Sequence, residues 1–350
     1  MPLCHVSVAG GSMAAMRIAI TGSAGLIGTA LVGSLRAGSP DRLSDGTAAG
    51  TGIGSGTGIG SGTGTDTDTG TGTGTGRHEI VRLVRHAPRA ADEVRWDPKR
   101  QTVDAAGLAG CDAVVHLAGA GVGDHRWTDA YKREIRDSRV LGTAALAEAI
   151  ASLDTPPRVF VCGSAIGFYG DTGDRRTDES APPGDDFLAR VCVDWEEAAA
   201  PAVEAGIRTV FARTGLVVGR QGGAWGRLFP LFKLGLGGRL GDGRQYWSFI
   251  SLHDHIAALR HLIDTDGLSG PVNLTAPEPV TNREVTAAMG RVLHRPTPFP
   301  APAPALRLAL GQFADNVLAS QRVIPRRLLD SGFTFAHPKV DEAIRAALGA

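Results

Sequence analysis

The 350-residue chain balances 36 Lys and Arg against 36 Asp and Glu, so it offers no basic field to nucleic acid or to an anionic membrane. Its 43% hydrophobic content suffices for a large buried core, yet no run of about eighteen apolar residues is present to span a bilayer. Cys4, Cys111, Cys162 and Cys192 are scattered without Cys-x-x-Cys spacing; they read as buried thiols of a cytoplasmic protein, with neither disulfides nor a metal site.

Residues 1–15 lack a basic stretch followed by a long apolar one, so they read as a disordered extension and not a signal peptide, with Met13 and Met16 as alternative starts. The segment Arg17–Thr21 is a short apolar strand that runs into Thr21-Gly22-Ser23-Ala24-Gly25-Leu26-Ile27-Gly28 and then a helix to Leu35. Gly22 would supply a tight turn, Gly25 a close backbone approach to a diphosphate, and Gly28 close packing of helix on strand, while the helix N-terminus offers free N–H groups to the anion. From Gly46 to Gly76 the chain is almost wholly Gly and Thr with Ser, Asp, Ala and two Ile. That composition cannot offset the entropy of ordering and reads as a disordered insertion.

Strand and helix then alternate: strand His78–Val84, strand Asp112–Gly119, helix Tyr131–Ser152, strand Arg158–Ser164, helix Asp186–Ala205, strand Arg208–Thr214. The pattern predicts an α/β fold, a doubly wound Rossmann-type parallel sheet with a smaller C-terminal α/β substrate region. Ligands of such sheets lie beyond the carboxyl ends of the strands. The glycine loop, Arg85 with His86, Leu117-Ala118-Gly119 and Ser164 all fall there. Because the second strand ends in Arg85 and His86 where an acid would bind a ribose 2′-hydroxyl, the expected cofactor is NADP, with NAD the weaker candidate. A solvated basic turn is the competing reading of Arg85.

His116-Leu117-Ala118-Gly119, Arg126-Trp127-Thr128, Glu134 to Arg139, Gly167-Phe168-Tyr169-Gly170-Asp171, Pro182 to Leu188, Phe232 to Gly238, Pro277 to Glu284 and Gln321-Arg322-Val323-Ile324-Pro325 occur in order behind the glycine loop. Together they resemble the extended short-chain dehydrogenase/reductase superfamily, and within it the NAD-dependent epimerase/dehydratase-like subgroup called epimerase family proteins, some labelled cell-division inhibitors. The resemblance runs from Met16 to the C-terminus outside the Gly/Thr tract. It implies a dinucleotide-binding Rossmann domain over 16–218, a substrate-covering region over 219–295 interleaved with it, and a small C-terminal domain of unknown function over 296–350.

Catalysts of that superfamily pair a Ser or Thr with a Tyr-x-x-x-Lys, whose lysine lowers the phenol pKa. Ser164 fits the first position, but Leu188 and Cys192 stand where tyrosine and lysine are expected. Tyr169, in a glycine-flanked loop, is the available substitute proton carrier, but without a cation to lower its pKa core packing is the preferred reading of it. Lys132, Arg136 and Arg139 are candidate electrostatic helpers, Arg139 assigned to the cofactor. Lys233, Arg244 and Trp247 are the candidate substrate contacts, combining cations with an aromatic face suited to a phosphorylated sugar or nucleoside. Ser251-Leu252-His253-Asp254 departs from the superfamily's His-x-Asp-Asp, leaving Asp254 to cap or brace the helix that runs to Ile263. Two functions follow: an NADP-dependent epimerase or oxidoreductase acting, as monomer or homodimer, on a small nucleotide-linked sugar-like substrate, or a catalytically silent dinucleotide-binding module connected with cell division.

Overall fold

The structure, a computed structural model, describes residues 15–38 and 78–349. Cys4, the N-terminal extension before residue 15 and the Gly46–Gly76 tract lie outside the described residues. The backbone N–H of His78 reaches the carbonyl of Leu35 at 3.4 Å, so the chain leaves and re-enters the described fold at neighbouring points.

In chain order the strands are β1 (Arg17–Thr21), β2 (Glu79–Val84), β3 (Glu93–Asp97), β4 (Thr102–Val103), β5 (Ala113–His116), β6 (Val159–Ala165), β7 (Arg208–Thr214), β8 (Leu216–Val218), β9 (Tyr246–Trp247), β10 (Phe249–Ser251), β11 (Gly270–Leu274) and β12 (Val280–Thr281). The helices are α1 (Leu26–Ala37), α2 (Asp129–Ala151), α3 (Phe187–Glu197), α4 (Ala200–Glu204), α5 (Gly223–Lys233), α6 (Leu252–Asp264), α7 (Asn282–Leu293), α8 (Ala303–Leu310), α9 (Phe313–Leu318), α10 (Arg326–Asp330) and α11 (Val340–Leu348).

Eight strands form one sheet in the order β11-β7-β6-β5-β1-β2-β3-β4, parallel except for the β3–β4 pair. Side-chain alternation along each strand splits the core between two faces. Ile18, Ile20, Val115, Val159 and Val161 meet α1 and α6 on one face; Ala19, Val114, Phe160 and Cys162 meet α2 and α3 on the other. Each fully buried Ile or Val stabilises the fold by roughly 1.5–3 kcal/mol. Both faces are therefore apolar, which is why these strands read as continuous hydrophobic runs. From β1 the chain builds outward to β4 and returns to β5 on the other side of β1, so the order reverses between β1 and β5 and opens a crevice at the carboxyl ends.

Two expected elements differ. The helix expected over Asp186–Ala205 is two helices, because Pro201 has no N–H for the Glu197 carbonyl and its ring crowds that turn. Helix α2 begins at Asp129, two residues early, because the Thr128 hydroxyl accepts the Tyr131 N–H and caps it. The C-terminal segment shares cores with the rest of the chain: Leu328 joins the α1/α6 face, and Val340, Ala343 and Ile344 join the cluster of Trp225, Phe229, Trp247 and Met289.

Candidate functional site

The β1–α1 loop is shaped by its glycines. Gly22 has φ +67° and a Cβ there would stand 2.9 Å from the Leu117 carbonyl group. A Cβ on Gly28 would lie 2.2 Å from the Gly22 oxygen, so only glycine lets α1 pack onto its own loop. Gly25 is different: it is exposed, its Cβ would meet only the Gly22 oxygen at 3.4 Å, and it is the N-cap of α1 without any side-chain cap. Ser23 and Ala24 complete an accessible arc, and Leu26 and Ile27 open the helix with no acid in its first turn. The first N–H groups of a 12-residue helix thus face an open loop, the arrangement that holds a phosphate.

Thr21 is fully buried and turned inward. Its hydroxyl meets His116 Nδ1 at 2.7 Å and accepts the Leu117 and Ala118 N–H groups at 3.0 and 3.2 Å. It therefore fixes the end of β5 against β1, and its side chain does not point to the loop's open side. His116 itself is fully buried, and desolvation pushes its pKa down to about 3, keeping the ring neutral.

At the end of β2, Arg85 and His86 are exposed; among the described residues Arg85 has no hydrogen-bond or ion-pair partner, and His86 Nδ1 meets only the Ala87 carbonyl oxygen at 2.8 Å. By contrast Arg82 and Arg36 are both tied to Asp92. On the other side of the loop, Gly119 lies against the guanidinium of half-buried Arg139, 3.1 Å from where its Cβ would be. Arg139 donates to the carbonyls of Ala120 and Ile135 at 3.0 and 2.9 Å and stacks 5.0 Å from the Trp195 ring centre. Arg136 pairs with Asp194 on the surface, and Lys132 lies over the Phe187 ring.

Ser164 and Tyr169 belong to one inward-facing chain of polar groups. Ser164 Oγ donates to Glu196 Oε1 at 2.7 Å, and Arg213 grips both Glu196 oxygens at 2.8 Å. Arg213 also donates to the Tyr169 hydroxyl at 2.9 Å, and that hydroxyl donates to Asn273 Oδ1 at 2.8 Å. The expectation that Tyr169 carries a substrate proton is corrected here. The side chain is 2% exposed, its one proton is given to Asn273, and burial pushes its pKa up to about 12. Ser164 likewise donates its single proton to a carboxylate, so polarising a substrate carbonyl would require breaking that bond. Leu188 packs beside Val191 and Tyr131, and Cys192 is buried with its thiol pushed up to about 12 by desolvation. Neither does acid–base work near neutrality.

The substrate expectation is revised for Trp247. Trp247 is 7% exposed, 6.4 Å from Trp225, and belongs to the core. Lys233 and Arg244 are exposed and make no side-chain hydrogen bond or ion pair among the described residues. Residues 119–127 after β5 stand beside the same region: Trp127 donates to the Val122 carbonyl and lies 5.5 Å from Phe313 of α9, Arg227 of α5 pairs with Asp124, and Gly219 lies against Leu26 at the start of α1. Asp254 braces: its carboxylate accepts the Ala336 and His337 N–H groups, while Ser251 caps α6. It gathers with His253 and His337 into a cluster whose ligating atoms lie within 4.8 Å. Sequence reasoning missed Glu196, Arg213 and Asn273; the available signal was Arg213, directly behind the apolar Val210-Phe211-Ala212 of β7, a cation that has to find a counter-charge once buried.

Comparison with known proteins agrees with this geometry. The pattern of the NAD dependent epimerase/dehydratase family matches residues 73–274, and a domain of unknown function matches 301–347. An epimerase family protein of Mycobacterium bovis is 42% identical over 333 residues, covering 95% of this chain and 97% of its own. The crystal structure of human epimerase family protein SDR39U1 with NADPH superposes with a TM-score of 0.79 at 29% identity, over 96% of this chain and all of that one. The nucleoside-diphosphate sugar epimerase from Corynebacterium glutamicum gives a TM-score of 0.71 at 34% identity, over 96% of this chain and 59% of that one. Among the described residues no helix is long and apolar enough to cross a membrane. The chain belongs to the NAD dependent epimerase/dehydratase family.

Proposed function

We propose that the protein binds NADP(H) in the crevice between β1 and β5 and acts on a small, nucleotide-linked sugar-like molecule, with no phenol–ammonium pair for proton transfer. The observation that carries the cofactor reading is Arg85, an exposed cation at the end of β2 that has no partner among the described residues, beside the accessible glycine arc. A guanidinium there matches a 2′-phosphate and has nothing to offer a bare ribose hydroxyl that water does not. The human relative solved with NADPH supports it, and the nucleoside-diphosphate sugar epimerase among the structural neighbours supports the substrate class.

Calorimetric titration with NADPH and NADH tests the proposal. One charge-assisted contact predicts NADPH tighter by about tenfold or more, with the gap narrowing in Arg85→Ala. Equal affinities, or a gap that survives the substitution, contradict it. The second reading, a dinucleotide-binding protein without chemistry, is favoured by the inward commitment of Ser164 and Tyr169. Hydride exchange between labelled NADPH and nucleotide-linked sugars separates the two: exchange above the protein-free background supports the enzyme, and binding without exchange across the panel supports the silent module.

A further inference from the structure

We infer that Arg139 makes this crevice discriminate by redox state, holding NADPH more tightly than NADP+. The inference rests on the dinucleotide reading above and concerns what one residue adds to it.

The sheet order is β2-β1-β5-β6 across the crevice. With phosphates at the β1–α1 loop and the adenosine half toward Arg85 on the β2 side, the nicotinamide half has to extend over the ends of β5 and β6. Arg139 occupies that side, under Gly119 and against Trp195 of α3. Among the described residues no carboxylate forms an ion pair with Arg139, and its two hydrogen bonds go to backbone carbonyls. The titratable groups that face it are His116 of β5, Tyr131 of its own helix and Cys192 of α3, all uncharged near neutrality. The nearby Glu196 is held by Arg213. Desolvation lowers the Arg139 pKa, but an arginine stays protonated.

Cys192 stands where the superfamily resemblance expects a lysine, so the positive charge on this side comes from α2 and not from α3. Both phenols of this region are already committed: the Tyr131 hydroxyl, which faces Arg139, donates to the Gly121 carbonyl, and the Tyr169 hydroxyl is bound to Arg213 and Asn273. What remains for such a charge is to act on the cofactor. NADP+ and NADPH share the same phosphates and differ by one positive charge on the nicotinamide ring. Attraction of Arg139 to the phosphates therefore cancels between the two forms, and only its repulsion of the oxidised ring is left.

The test measures dissociation constants of the full-length protein for NADPH, NADP+ and 2′,5′-ADP. Variants are Arg139→Gln, Arg139→Lys and, as a surface control, Arg136→Gln, each checked by thermal melting. The expected wild-type result is NADPH tighter than NADP+ by about tenfold. The ratio should fall toward one in Arg139→Gln and persist in Arg139→Lys and Arg136→Gln, while 2′,5′-ADP, which lacks the ring, binds wild type and Arg139→Gln alike. A wild-type ratio near one overturns the inference whatever the variants do, as does a ratio unchanged in Arg139→Gln. If Arg139→Gln fails to fold, loss of the ratio in Arg139→Lys overturns it too. Absence of binding by all three ligands is a different result, which removes the dinucleotide reading itself.

Discussion

Tyr169 follows Ser164 by only five residues, yet its hydroxyl ends inside the protein, because the turn after β6 carries the ring against Phe168, Val323 and the Arg213 guanidinium. The two oxygens are linked through Glu196 and Arg213, so each is a support for the other and neither is a free donor at the crevice. Tyr169→Phe is expected to leave Asn273 Oδ1 and Arg213 Nη1 short of a partner and to lower stability by about 1–3 kcal/mol, with NADPH affinity unchanged within about twofold. Urea unfolding and calorimetry on the same preparation check this. A fall in hydride exchange without any loss of stability would instead restore Tyr169 as a proton carrier. Here the sequence was legible in part: the absence of tyrosine and lysine at Leu188 and Cys192 was plain, but the partner of a buried arginine is set by which helix covers the strand. Glu196 and Arg213 are 17 residues apart and meet only once α3 lies on β6 and β7.

In the β1–α1 unit three glycines have three different physical roles, which makes them separable. Gly28→Ala puts a methyl 2.2 Å from a backbone oxygen that cannot move without deforming the loop, so both melting temperature and NADPH affinity should fall, the latter by about tenfold or more. Gly33, on the same helix, has open space around its Cβ position, and Gly33→Ala should stabilise by up to about 1 kcal/mol with no change in affinity. Thermal melts and cofactor titrations on the pair decide it, and equal effects at both positions would mean that the loop's shape is unimportant for binding. Strands β1, β2, β5, β6 and β7 were readable because burial on both faces gives each a mainly apolar middle, and the loop was readable because its glycines sit between such a strand and an amphipathic helix. The short strands β8, β9, β10 and β12, of two or three residues each, carry too little pattern to be seen. Trp247 was misread for a related reason: an aromatic beside cations looks like a binding surface until the cluster of Trp225, Phe229, Met289 and Ile344, built from segments over a hundred residues apart, is assembled around it.

At the scale of the whole molecule the C-terminal segment is woven into the fold, with Val323 against the turn after β6 and Leu328 under the main sheet, so unfolding should be one transition and its pH dependence a property of the entire chain. That dependence is dominated by buried histidines. His116 lies in the sheet and His255 on α6; both are fully buried, and desolvation pushes both down to about 3, while His78 and His261 shift in the same direction. The folded pKa lies below the roughly 6.5 of an exposed imidazole, so on acidification the unfolded chain takes up protons first. The stability is fully present above about pH 6.5 and is lost as pH falls toward 3, by up to about 1.4 kcal/mol per pH unit for each fully buried ring. Carboxyls held low, such as Asp92 and Asp254, act only nearer or below their ordinary range, whereas Glu179 and Asp264, pushed up by burial, take up protons first in the folded state and oppose the histidine slope at the acid end of the interval from about 6.5 to 4.5. Neither ring nitrogen of His255 meets a hydrogen-bond partner among the described residues, so His255→Leu breaks no side-chain bond there and should shallow the slope while raising stability at acid pH. Urea midpoints measured across that interval give the slope directly. A wild-type midpoint that stays flat down to about pH 4.5, or an unaltered slope in His255→Leu, would show that these rings are hydrated and protonate within the folded state.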